Sequence, residues 1–193
     1  MKHVICPLGV GAYFEYWDFP KEKICEGDWY DRIPLGENIT VHVLPARHYS
    51  GRLMAKNKTL WAGFALETPN RGIFFSGDSG YGPHFSKIGE AFQGFDLVLL
   101  DCGQYDPRWA YIHMTPEEAA QAAADLGARA MIPAHVGRFT IANHPWDEPF
   151  KRLIEACQNK PYRLLTPEIG EPVVPDDNPS RFSRWWEAEA SNL

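Results

Sequence analysis

Three side chains able to hold a metal ion or move a proton follow three separate apolar runs: His48, Asp78 and His135. Asp78 comes directly after Ile73-Phe74-Phe75, in a turn of small residues where Gly77 and Gly80 allow backbone angles and close approaches that a β-carbon would block. His48 lies in the polar loop that follows an alternating stretch ending at Val43, and His135 closes the run Ala130-Met131-Ile132-Pro133-Ala134. A fourth apolar run, Phe95 to Asp101, leads into a loop that reaches His113. Imidazole and carboxylate are ligands that zinc accepts, and loops at one edge of a sheet can bring them together from distant parts of a chain. Each residue alone reads more readily as a loop hydrogen-bonder or part of a polar turn. Their shared position after apolar runs is what points to a metal site.

These residues need a scaffold, and the periodicities describe one. Val4–Pro7, Ile24–Glu26, Trp29–Asp31 and Ile39–Val43 read as strands. In the last of these Ile39, Val41 and Val43 point one way, Thr40 and His42 the other. Leu60–Glu67 and Gly72–Ser76 form a hairpin through Thr68-Pro69-Asn70-Arg71. From Pro83 to Phe92 the apolar residues recur at helical spacing, and Phe95–Leu100 is apolar enough to be covered on both faces. Thr115-Pro116-Glu117-Glu118 is a helix start, with Thr at the N-cap, Pro at the first position and Glu at the third, and Gly127 stops that helix. Ala130–Ala134, a helix over Trp146–Cys157 and a strand over Tyr162–Leu165 complete the pattern. Strands first, then alternating strands and helices, predict an α/β fold: a mixed sheet with helices on its outer face. Residues 1–166 read as that domain, and 167–193 as a proline-rich acidic tail that wraps the surface and contains a short helix.

A chain of 193 residues with 45% hydrophobic and 23% charged residues can bury a real core in one domain. A formal charge of -6 with no basic cluster argues against a nucleic-acid partner. The four cysteines show no paired spacing and read as reduced thiols, which favours a cytoplasmic protein, free or peripheral to an inner membrane. No apolar run approaches the roughly 20 residues that span a bilayer.

The segments P-A-R-H-Y-S-G-R (Pro45–Arg52), L-W-A-G-F (Leu60–Phe64), F-F-S-G-D-S-G-Y (Phe74–Tyr81), P-R-W (Pro107–Trp109), H-M-T-P-E-E-A (His113–Ala119) and A-H-V-G-R-F (Ala134–Phe139) resemble, in order and spacing, the C-terminal portion of the metallo-β-lactamase superfamily. Within it they are most similar to the N-acyl-phosphatidylethanolamine-hydrolysing phospholipase D-like branch. The resemblance implies an αββα sandwich and a hydrolase with two zinc ions. It implies that His48 ligates one zinc, that His135 ligates the other, that Asp78 bridges them, and that His113 contacts substrate or assists proton transfer. The implied substrate is a small-molecule or lipid phosphodiester.

The family's main metal motif, H-x-H-x-D-H, does not occur in these 193 residues, and the only histidine before His42 is His3. Each zinc would then keep about two protein ligands where catalytic sites hold about three. The expectation is weak or partial metal binding and little hydrolysis by this chain alone. An apolar sheet face without its partner sheet predicts self-association or a partner that supplies an N-terminal half. Two other readings remain: a non-catalytic half-domain for binding or assembly, and a lactonase-type member of the same superfamily. The stretch Asp101-Cys102-Gly103-Gln104-Tyr105 departs from the more apolar one of the relatives and makes Cys102 a conceivable extra ligand.

Overall fold

A computed structural model describes residues 3–52, 55–138, 141–174 and 182–190. The tail segment 175–181 and Phe139, the last residue of the final motif, lie outside the described residues. In chain order the elements are β1 (Val4–Pro7), α1 (Gly11–Tyr16), β2 (Ile24–Gly27), β3 (Arg32–Pro34), β4 (Thr40–Leu44), β5 (Gly51–Arg52), β6 (Ala55–Lys56), β7 (Gly63–Glu67) and β8 (Gly72–Phe75). There follow α2 (His84–Phe92), β9 (Leu97–Asp101), α3 (Pro116–Asp125), β10 (Ala130–Ala134), α4 (Glu148–Cys157), β11 (Arg163–Leu164) and α5 (Trp185–Ala190).

Seven strands form one mixed sheet in the order β11-β10-β9-β8-β7-β4-β3. Its β11, β10, β9 and β8 run parallel, joined by helical crossovers, while β8, β7, β4 and β3 pair antiparallel. The β7–β8 hairpin closes where expected: the Thr68 amide donates to the Arg71 carbonyl at 2.9 Å, and the Arg71 amide donates to Thr68 Oγ1 at 3.0 Å. A separate parallel pair, β1 with β2, packs beside the sheet, and β5 with β6 makes a short hairpin.

The core lies between one sheet face and α2, α3 and α4, where Phe74, Phe85, Ile88, Val98, Leu100, Leu126, Met131 and Leu153 are fully buried. The other face is apolar too, through Ile73, Leu97, Leu99, Ile132 and Leu165, but its cover is thinner. Val173 and Phe182 of the tail lie over part of it, while Leu66 and Phe75 remain 40% and 42% exposed. The α3 start is a reciprocal capping box: the Glu118 amide donates to Thr115 Oγ1, and the Thr115 amide to Glu118 Oε2.

One local expectation is corrected. Trp29–Asp31 is a turn, because the Asp28 amide donates to the Asp31 carboxylate at 2.8 Å and Tyr30 takes φ of 74°; the strand begins at Arg32. His42 takes a covered side of β4. The end of α2 covers that side of β4, so His42 is buried against Phe92 with Nε2 2.8 Å from Glu67 Oε2. The tail packs rather than dangles: Trp186 is 1% exposed and stacks on Phe150 of α4 at 4.6 Å between ring centroids.

Candidate metal and hydrolytic centre

The carboxyl-end loops of β8, β9 and β10, together with the loop after β4, meet at one edge of the sheet. Their backbones are tied to each other before any ligand is considered. Ser79, next to Asp78, accepts a hydrogen bond from the Arg47 amide at Oγ (2.9 Å), and the Gly80 amide donates to the Arg47 carbonyl at 2.9 Å. These two bonds clamp the loop carrying His48 onto the loop carrying Asp78. Gly77 takes φ of 60°, which redirects the chain so that Asp78 leaves the sheet edge. Trp61 adds an anchor, its Nε1 donating to the Ala46 carbonyl at 3.0 Å.

His135 sits just past β10 with φ of 56°, a conformation that few non-glycine residues adopt. Its carbonyl accepts from the Gln104 side-chain amide at 3.3 Å, and Gly103 passes directly beneath it. The loop after β9 therefore holds the backbone that aims His135.

The four side chains singled out in the sequence come together. His135 Nε2 lies 3.8 Å from Asp78 Oδ2, and the His113 ring centroid lies 5.4 Å from that of His135 and 5.2 Å from that of His48. His48 Nδ1 is 2.7 Å from the Tyr49 carbonyl, and the two rings stack. Asp78 and His135 are half-exposed, while His113 is buried. A cleft of about 410 Å³ opens beside them, lined by Val10, Tyr13, Tyr49 and Trp61 as well as His48 and Asp78.

The donors are of types that zinc takes, but their number is short: among the described residues no group of three or more is gathered closely enough to hold one ion. Cys102 adds nothing. It is buried in the core, and burial pushes its thiol well above the ordinary value, which keeps it protonated.

Sequence reasoning overlooked Asp101, Ser79 and Gln104 as parts of the site. Asp101 is wholly buried, with Oδ2 2.6 Å from His113 Nδ1; burial raises its pKa, and the hydrogen bond and charge of His113 oppose that rise. The available signal was an acid closing an apolar strand beside the Asp78 turn, the same pattern that drew attention to Asp78. His84 is a further, partly buried histidine, pushed down to about 4 by burial and then by the Arg47 guanidinium.

Comparison with known proteins places the chain in a family. The profile of the Beta-lactamase superfamily domain matches residues 1–136. An uncharacterized protein of Mycobacterium tuberculosis is 42% identical over 185 residues, covering 94% of this chain and 49% of its own length. The mitochondrial N-acyl-phosphatidylethanolamine-hydrolyzing phospholipase D of Saccharomyces cerevisiae is 33% identical over 178 residues, covering 86% of this chain and 38% of that protein. The chain thus spans about half or less of the length of these relatives. Among solved structures, Igni18, a metallo hydrolase from the archaeon Ignicoccus hospitalis, shares the fold with a TM-score of 0.63 at 19% identity, over 87% of this chain and 66% of that one. The chain belongs to the metallo-β-lactamase superfamily and, within it, is similar to the N-acyl-phosphatidylethanolamine-hydrolysing phospholipases D.

Proposed function

We propose that this chain carries part of a metal-dependent hydrolase centre that acts on phosphodiesters of the phospholipase D type. The observation that supports it best is the convergence of His48, His113, His135 and Asp78 from four separate loops, beside a cleft that His48 and Asp78 line. In this reading Asp78 and His135 would hold one zinc, and His48 with Asp78 would hold the other. A bound metal pair supplies a low-pKa water and stabilises charge on the attacked and departing oxygens. The chain's own residues do the rest. His113, buried beside the cleft, handles a proton, while Tyr13, Tyr49 and Trp61 provide an aromatic wall against which an apolar substrate portion can lie.

With about two donors for each ion, turnover by the chain alone should be close to background. The half-exposed apolar sheet face at Leu66 and Phe75 favours a partner, either a second copy or a polypeptide that brings the remaining ligands. The same face supports the second reading, a non-catalytic assembly module.

Both are tested by assaying N-acyl-phosphatidylethanolamine, a simple aryl phosphodiester and a lactone with zinc, using the chain alone and then mixed with a polypeptide bearing H-x-H-x-D-H. The expected result is phosphodiester hydrolysis in the mixture that Asp78→Ala and His113→Ala abolish. Assembly of the mixture without any turnover would favour the non-catalytic module, and preference for the lactone would favour the lactonase type.

A further inference from the structure

The buried carboxylate of Asp101 serves two donors through one oxygen. The Ser79 backbone N–H donates to Oδ2 at 3.2 Å, and His113 Nδ1 lies 2.6 Å from the same atom. An amide N–H can only donate, so Oδ2 must be an acceptor. At 2.6 Å the contact with His113 is as short as a charge-assisted bond, which assigns Asp101 as the ionised carboxylate. Two atoms this close, one of them an acceptor, require a hydrogen between them. An ionised carboxylate has no hydrogen to give, so it comes from His113.

We infer that Asp101 is a positioning residue that fixes His113 as the Nδ1–H tautomer. The second ring nitrogen, Nε2, then carries the lone pair whenever the imidazole is neutral. Nε2 lies on the side of the ring away from Asp101, and the His48 and His135 rings stand at 5.2 Å and 5.4 Å from the His113 ring. A hydrogen bond from one ring nitrogen to a carboxylate is a general way of setting which nitrogen faces a reaction centre. The burial of Asp101, at 0% exposed, and of His113, at 6%, keeps water from offering either group another partner. Asp101 also receives its position from the fold: its own amide donates to Ser76 Oγ at 3.1 Å, which locks the end of β9 to the end of β8.

What Nε2 does at the site rests on the proposed hydrolase function, but the tautomer does not, and the test separates them. Long-range proton–nitrogen correlation spectra are recorded on the isotope-labelled, metal-free chain at mildly alkaline pH. The His113 signals are assigned by their loss in His113→Gln. The expected spectrum shows a protonated Nδ1 and an unprotonated Nε2. Asp101→Ala should lose this pattern and shift the ring toward the Nε2–H form. A wild-type His113 protonated at Nε2 would overturn the inference, and so would an unchanged pattern in a folded Asp101→Ala. If that variant does not fold, the wild-type spectrum decides alone. In the two-component phosphodiester assay, Asp101→Ala should lower kcat about a hundredfold at nearly constant KM, the scale of a misplaced acid–base group. Full turnover by His113→Gln would instead remove the functional reading and leave the tautomer assignment standing.

Discussion

Gly103 runs so close beneath His135 that a β-carbon built on it would meet the His135 carbonyl oxygen at 2.1 Å and Val136 Cα at 2.8 Å. Both obstacles are backbone, so neither can swing aside. Gly103→Ala should therefore push the loop after β10 outward and carry His135 away from Asp78, at a cost of about 1–3 kcal/mol as in other overpacked sites. Chemical denaturation measures the cost. Zinc titration of the folded variant should show weaker binding than wild type; unchanged binding would mean that His135 is not a donor.

Ser79 offers a subtler perturbation. Its hydroxyl is fully buried and takes the Arg47 amide, so Ser79→Ala leaves that amide without its acceptor. An orphaned buried donor costs about 1–3 kcal/mol. Because the bond also joins the loops of His48 and Asp78, the variant should lose zinc affinity along with stability. A loss of stability with unaltered affinity would show that the clamp does not position the donors.

His84 gives the fold a defined pH response. Its pKa falls from 6.5 unfolded to about 4 folded, through burial first and the Arg47 charge second. The folded state then binds fewer protons than the unfolded one between those values, so the contribution is complete above 6.5 and is lost as pH falls toward 4. Unfolding free energies measured across this window should decline on the acid side in wild type. His84→Gln should flatten that share of the slope, whereas an identical slope would place the titration elsewhere.

The tail carries structural weight. Trp186 stacks on Phe150 and is 1% exposed, so Trp186→Ala should cost about 3–5 kcal/mol, the range for removing a large buried aromatic. Thermal unfolding reads this directly, and a change near zero would mean that α5 does not remain docked in solution.

Local signals in the sequence were strong where one short segment decides its own shape. The Thr115–Glu118 box, the Thr68–Arg71 turn and the apolar run of β9 each specify an element without help from elsewhere. His48, Asp78, His113 and His135 were singled out by residue type and by following apolar runs, and by resemblance. The misses come from long-range contacts. For His42, nothing near it in sequence announces that Phe92 will cover it. Asp101 looked like a strand end because its partner His113 arrives through a separate loop. Gln104 and Gly103 matter only through the left-handed backbone of His135, which no periodicity marks.

The central claim is that His48, Asp78 and His135 make a metal site that this chain supplies only in part. Elemental analysis of the chain purified without added metal, followed by zinc titration, tests it most directly. The account predicts less than one zinc per chain, lost on dialysis and recovered weakly on titration in wild type but not in Asp78→Ala. Two zinc ions retained tightly by each chain would contradict it.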